Sequence, residues 1–441
     1  MKKACDCMII HASCLTEQMT VEDRQAIVLK DGMILDILPV KEAEEAYEAA
    51  IQVDGSQKLW MPGLIDCHMH TGQQLLKGRI LDELPMIWTR IMLPFESTLT
   101  PEKMQFSAEL AALEMIENGT TGFVDAGGYF MEEAGRVYEA SGLRGALSHS
   151  TMDQGNFPDS IRQTAAQALE TTDALYEEFH GKGNLRVFYS LRAIMNCSQE
   201  LIRGAAERAG EKGTCIQAHM NEYAGEVNYT LEKYRMRPVE YLDSLGILQE
   251  NFVAAHGIML SAREQEILAQ RHAKVVHCPF SNCGKGVPDT PSLLERGICV
   301  GLGTDGAAHG GLSLWNKMKI FRSVMNAVWG TRYADPEIMP AASIFGMVFT
   351  GGGRILDQEG KLGCLKPGYR ADLISIDWNQ PHLLLTGNRV HTLLECVNGS
   401  DVADSMVNGR FLMKDREVLT MDREKILWKA KKYMETEEIP S

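Results

Sequence analysis

Apolar and polar positions follow three different rhythms along this chain. Up to about residue 57 they alternate in short runs broken by turn residues, which is the pattern of half-buried strands. Met8 to Ser13, Ala26 to Lys30, Met33 to Leu38 and Ile51 to Asp54 are the expected strands, with a hairpin signal at Lys30-Asp31-Gly32. Lys41 to Ala50 reads as a short polar helix. From residue 61 the rhythm changes to short apolar runs separated by amphipathic stretches of helical period. The runs lie at 63–68, Gly122–Asp125, Gly145–Ser148, Leu185–Ser190, Thr214–His219, Phe252–His256, Lys274–His277 and Cys299–Gly303. Glu102–Asn118, Ile161–Phe179, Gln199–Lys212 and Ala262–Gln270 are helices between them, and Ser313–Trp329 and 340–356 are helix-like segments after the last. Beyond about residue 360 strands return. A turn leads into the apolar run ending at Asp377, Glu395–Val397 and Val402–Val407 follow, and Asn408-Gly409 joins Met406-Val407 to Phe411–Met413 as a hairpin. Residues 422–438 read as a charged helix.

Eight strands separated by helices predict parallel β-α units, and eight is the number that closes a barrel. The pattern alone leaves a doubly wound sheet as the alternative. Neither strand set at the chain ends is self-sufficient, so the two are expected to pair. The expected fold is α/β: a distorted (β/α)8 TIM barrel over 58–357, with a small β-sandwich built from 1–57 and 358–420, and a terminal helix over 421–441.

Composition changes this picture little. An apolar content of 45% with 23% charged residues is ordinary for a globular chain of 441 residues. The net charge of −15 argues against nucleic acid as a partner, because phosphate binding needs clustered Lys and Arg. No window approaches the roughly 18 apolar residues of a membrane span. Eleven cysteines without a disulfide-like spacing point to free thiols in a reducing cytoplasm. Cys5 and Cys7 form a C-x-C pair with no partner pair nearby, so no structural zinc is expected there. The 24 Met residues read as core filler.

Candidate chemistry sits at the ends of the apolar runs. His68 and His70 close Pro-Gly-Leu-Ile-Asp-Cys-His-Met-His, and residues i and i+2 of a strand point the same way. His219, His256, His277 and Asp305 each stand at a later run's carboxyl end, with Glu222 just after His219. In a β/α barrel such ends gather on one face. His68, His70, His219 and Asp305 offer three imidazoles and a carboxylate, a set suited to Zn²⁺ or Fe²⁺ with room for a water. A metal there lowers the pKa of that water, and Glu222 and His256 are then candidates for proton transfer.

The motifs carrying these residues resemble the metal-dependent amidohydrolase superfamily. They are similar to its aminohydrolase branch, which holds methylthioadenosine/S-adenosylhomocysteine deaminases, guanine deaminases and triazine hydrolases. The strings that carry the likeness are Pro-Gly-Leu-Ile-Asp-Cys-His-Met-His, His219-Met-Asn-Glu222, Ala-His256-Gly, His277-Cys-Pro-Phe-Ser-Asn282 and Gly-Leu-Gly-Thr-Asp305-Gly. The resemblance implies one divalent metal on His68, His70, His219 and Asp305. It implies a Glu222 that shuttles protons, a His256 that orients the hydroxide and an Asp305 that also accepts the water proton. The bridging Lys of binuclear members is absent from Tyr189-Ser-Leu-Arg192-Ala, in keeping with a single metal. The implied reaction is attack of metal-bound hydroxide on an amino-substituted N-heterocycle with release of ammonia. The implied partner is a small heterocyclic substrate, in a homo-oligomer of two or more copies.

Substrate choice is read from departures within that resemblance. Methylthioadenosine deaminases carry a Glu, holding the ribose hydroxyls, where this chain reads Leu84-Pro85-Met86-Ile87-Trp88, with Ile87 as counterpart. They also have a His where Arg192 stands. Guanine deaminases share the Gln at position 73 and the Arg192 context with Cys197-Ser198, which in that family read the amide edge of the ring. The expectation is therefore a guanine-like substrate (guanine, oxidised guanine or pterin), with an adenosine-type deaminase or a triazine hydrolase as alternatives. A metal-binding barrel without catalysis is disfavoured, since such a scaffold needs neither Glu222 nor His256. Arg192 bound to a carboxylate and Gln73 merely lining the barrel is the competing account of those two residues. Trp88 walls the pocket or packs in the core. His277 lies beside the substrate, and His309 touches substrate or caps its loop. Lys77-Gly78 resembles an Arg-Gly of relatives without an assigned role.

Overall fold

The computed structural model describes residues 2–83 and 87–436. Leu84, Pro85 and Met86 of the expected ribose-contacting segment lie outside the described residues.

Eight parallel strand positions follow one another as the apolar runs predict. They are made by β6 (Leu64–Met69), β7 (Thr120–Asp125), β8 (Arg144–Leu147), β9 (Leu185–Val187), β10 (Tyr189–Leu191), β11 (Ile216–Met220), β12 (Phe252–His256), β13 (Lys274–His277) and β14 (Val300–Leu302). Nearly every residue in them is buried, as expected of strands covered on both faces. Hydrogen bonding divides them into a four-stranded sheet β6-β7-β8-β9 and a five-stranded sheet β10-β11-β12-β13-β14. The division at Phe188 is a change of partner within one extended segment. The Phe188 N–H donates back to Leu147 at 2.9 Å, whereas the Tyr189 N–H donates forward to Cys215 at 3.0 Å. At the opposite seam β14 and β6 share no ladder. The Asp305 N–H reaches the His68 carbonyl there at 2.9 Å.

Helices fill the intervals, and their starts are encoded locally. Pro101–Glu117 begins with Pro at its first turn after Thr100, whose side chain accepts from the Lys103 N–H. Ala165–Phe179 and Ala262–Gln270 begin with capping boxes at Thr164 and Ser261. Their apolar faces pack on the parallel strands in one large core.

The chain ends make a nine-stranded mixed sheet. Its strands are β1 (Lys3–Leu15), β2 (Val21–Lys30), β3 (Met33–Pro39), β4 (Tyr47–Asp54), β5 (Lys58–Pro62), β15 (Leu373–Asp377), β16 (Val402–Val407), β17 (Arg410–Lys414) and β18 (Glu417–Val418). Where two stacked sheets were expected, hydrogen bonds trace one path, β18-β17-β16-β15-β5-β1-β2-β3, with β4 also on β1. The long β1 explains this. His11 sits at φ 60, and the β1–β2 register shifts at Ile9/Ala12 and Ala12/Cys14 mark bulges that bend the strand. Its first part then pairs with β4, and Ser13 and Cys14 pair with β5.

Two local expectations fail for identifiable reasons. The helix expected over 41–50 stops at Ala46, and Tyr47 starts β4 because parallel pairing with β1 outweighs local helix preference. The strand expected at Glu395–Val397 does not form, because Glu395 ends helix Arg389–Glu395, which buries Val390, Leu393 and Leu394 and is capped by the Asn388 side chain.

The two parts are tied by a buried fork. Arg144 of β8 donates to Asp372 from Nε at 2.6 Å and Nη2 at 3.1 Å, and the Gly63 N–H donates to the Asp372 carbonyl at 3.0 Å. Among the described residues no helix is long and apolar enough to cross a membrane.

Candidate active site

The carboxyl ends of the parallel strands bring the candidate residues together. His68 lies in β6 and His70 one residue past it, His219 lies in β11, and Asp305 lies three residues past β14. Ligand atoms of these four all lie within 4.8 Å of one another. His68 Nε2 and His70 Nε2 stand 3.5 and 3.6 Å from Asp305 Oδ1, and His70 Nε2 is 3.2 Å from His219 Nε2. His68 Nε2 is buried with no hydrogen-bond partner. Burial holds the His70 and His219 imidazoles well below their usual pKa, so both are neutral. Burial works against the Asp305 carboxylate, but the imidazoles of His309, His68 and His256 hold it well below the usual carboxylate range. Neutral imidazoles and an ionised carboxylate around an orphaned ring nitrogen are the donor states a divalent metal requires.

Two buried aspartates orient this group. Asp66 Oδ1 accepts from the His68 N–H at 3.3 Å and the Thr304 N–H at 3.0 Å, and its Oδ2 accepts the Thr304 hydroxyl at 2.6 Å. One carboxylate thereby spans the seam between β6 and β14. Asp125 accepts from the Thr71 N–H at 2.9 Å and the Gly127 N–H at 2.7 Å. The Gly127 carbonyl in turn lies 3.3 Å from His70 Nδ1, which sets the ring's orientation.

Around the metal group lie the other expected residues. Glu222 Oε1 is 3.8 Å from His256 Nε2, and the same oxygen is hydrogen-bonded by the Lys285 ammonium. His256 Nδ1 meets Asn282 Oδ1 at 3.0 Å, which keeps the proton on Nδ1 and leaves Nε2 free. His277 donates from Nδ1 to the His256 carbonyl at 2.7 Å, and burial lowers its pKa to about 4, so it is neutral. His309 Nε2 lies 3.5 Å from Asp305 Oδ2, and the Lys317 ammonium holds the His309 carbonyl. Gln73 is buried with both amide atoms lacking protein partners. Its carbonyl packs over Gly306, where a Cβ would stand 2.6 Å from Oε1.

Arg192 is engaged as its competing account anticipates. Its Nη2 donates to Glu96 Oε1 at 2.8 Å, both side chains are buried, and the guanidinium lies 5.8 Å from the centre of the Trp88 ring. Glu96 Oε2 and Arg192 Nη1 have no partner. Ile87 packs instead with Leu76, Ile80 and Met92. Glu96, Lys285, Asn282, Asp66 and Asp125 were not singled out from the sequence. Asp66 and Asn282 lie inside the quoted strings and were open to that reading. Glu96 ends the apolar run Met92-Leu93-Pro94-Phe95, and a lone acid there was the available signal.

Parallel strands ending on such a donor set define a metal-dependent hydrolase of the α/β class. The sequence profile of the amidohydrolase family matches residues 59–412, and the chain belongs to that family. It is a hydrolase of C–N bonds, and a divalent metal ion is its cofactor. It is 32% identical over 428 residues to 5-methylthioadenosine/S-adenosylhomocysteine deaminase 1 of Syntrophus aciditrophicus, covering 96% of this chain and 95% of that one. It is 31% identical to a 5'-deoxyadenosine deaminase of Methanopyrus kandleri, covering 95% and 96%. The zinc-bound crystal structure of an adenosine deaminase from Xanthomonas campestris superposes with a TM-score of 0.92 at 24% identity, covering 99% of each chain. That last likeness bears on fold.

Proposed function

We propose that this protein is a hydrolytic deaminase of a 5'-substituted adenosine, of the methylthioadenosine, S-adenosylhomocysteine or 5'-deoxyadenosine type. The observation that carries this reading is the Glu96 carboxylate, buried beside Arg192 with Oε2 unpaired. A carboxylate accepts several hydrogen bonds, and a free buried oxygen suits the paired hydroxyls of a ribose. The sequence argument against a nucleoside rested on Ile87 and on Arg192 standing in place of a His, and Glu96 supplies the carboxylate that Ile87 lacks. The guanine reading weakens at the same point, because the Arg192 fork it needs for a ring carbonyl is half occupied by Glu96. Gln73 supplies a donor and an acceptor to a purine edge under either reading. The names of the curated relatives favour the adenosine type.

In this reading His68, His70, His219 and Asp305 hold one divalent ion, zinc by analogy with the solved neighbour. When bound, the ion supplies Lewis acidity and a water of lowered pKa. Glu222 begins as the base. Burial favours its neutral form, but His256 and the Lys285 ammonium beside it hold its pKa below the usual value. It takes a proton from water, passes it to the ring nitrogen beside the amino-bearing carbon, and later serves the departing amine. His256 Nε2 orients the attacking oxygen, and Asp305 accepts the second water proton, which then passes by way of Glu222 to the departing amine. A C–O bond forms, the C–N bond breaks, and ammonia leaves as the ring gains a carbonyl.

The test is ammonia release by the zinc-loaded protein with methylthioadenosine, S-adenosylhomocysteine, 5'-deoxyadenosine and guanine side by side. Turnover of the nucleosides and not of guanine is expected, and E96A should raise KM for a nucleoside far more than for free adenine. Turnover of guanine alone would overturn the reading.

A further inference from the structure

One short segment, running from the last residue of β13 to Gly286, grips both groups assigned to proton handling. His277 donates to the His256 carbonyl, and Asn282 Oδ1 contacts His256 Nδ1. The Asn282 carbonyl then accepts the N–H groups of Lys285 at 2.8 Å and Gly286 at 2.9 Å. That places the Lys285 ammonium on Glu222 Oε1. The ammonium also lies 5.0 Å from the centre of the Tyr223 ring, whose face attracts a cation. The Lys285 side chain is 15% exposed. Among the described residues, Lys285 makes the hydrogen bond that holds the Glu222 carboxylate, while Glu226 Oε2 holds the Glu222 N–H at 3.1 Å.

We infer that Lys285 is a positioning residue for the Glu222 carboxylate, fixing one oxygen toward His256 and leaving the other for the substrate ring. The inference rests on the reading of Glu222 as the proton carrier. A glutamate has three rotatable bonds, and a carboxylate that must meet a ring nitrogen within hydrogen-bond reach loses rate when its tip wanders. Lys285 removes that freedom with a charge-assisted bond from a separate segment. The Tyr223 ring holds the ammonium itself, and the two backbone N–H bonds to the Asn282 carbonyl fix the turn that carries it. Because Asn282 also touches His256, the same residue sets the spacing between the carboxylate and the imidazole.

The test compares K285M, K285R and E222Q in the zinc-loaded protein, using whichever of methylthioadenosine and guanine it turns over. K285M should lower kcat by about tenfold to a hundredfold, the scale of a misplaced catalytic group, with KM and zinc content near wild type. K285R should restore much of kcat, which a loss of packing alone would not predict. K285Q is the substitute should K285M be insoluble, and the same kcat loss is expected of it. A wild-type kcat in K285M with an inactive E222Q would overturn the role of Lys285 and leave the proton carrier standing. A fully active E222Q would instead remove the reading on which the inference rests.

Discussion

Glu222, His256 and Asp305 present proton-accepting atoms that all lie within 4.8 Å of one another. Each is therefore sensitive to changes that keep shape and alter charge. E222Q keeps the side chain's size and is expected to cut kcat by about 10²- to 10⁴-fold, the usual weight of a positioned acid-base group. Zinc content should stay at wild type, read by metal analysis beside the steady-state assay. Glu226, just beneath, behaves differently. Burial pushes its carboxyl up to about 8. The unfolded chain loses that proton near the ordinary glutamate value, so between there and about 8 the folded state carries a proton that the unfolded state has lost. Stability should therefore fall as pH rises through that window and level off above it. E226Q should flatten the fall, as measured by urea unfolding across the window. The sequence made the metal group legible because each member closes an apolar run. It left Glu96 and Lys285 dark, because Glu96 ends a helix of only four residues and Lys285 lies in a turn, neither with a period to read. It also gave no hint that His256 and Asp305 adopt φ values of 73 and 59, a conformation costly for non-glycine residues.

Among the elements, β6 and β14 carry the heaviest constraint, since they bring metal-group residues to a seam that no ladder closes. Asp66 spans that seam through His68 and Thr304. D66A should weaken zinc binding by about 10- to 100-fold, the usual cost of losing an outer-shell partner. Competition with a chromogenic chelator measures it, and unchanged affinity would mean the Asp305 N–H bond to His68 suffices. The eight strand positions were readable from apolar runs, but partner choice was not, because pairing depends on twist and closure that no local pattern records. The misread elements share a cause. Tyr47–Asp54 and Arg389–Glu395 both take the conformation that their distant packing partners reward.

The whole molecule depends on contacts between its two parts. Arg144 and Asp372 are buried, so removing one strands the other's charge. R144A is expected to cost about 3–5 kcal/mol of unfolding free energy, read from denaturant titration. Metal binding adds a second support. A chelator should lower the melting temperature, with zinc at a hundred times its Kd worth about 2.7 kcal/mol. The union of β5 with β15 has a consequence for synthesis. At roughly 5–20 residues per second, a ribosome needs about 15–60 s to make the chain between them. During that interval the nascent chain carries one β5 edge without its mate, open to chaperones or to stray pairing.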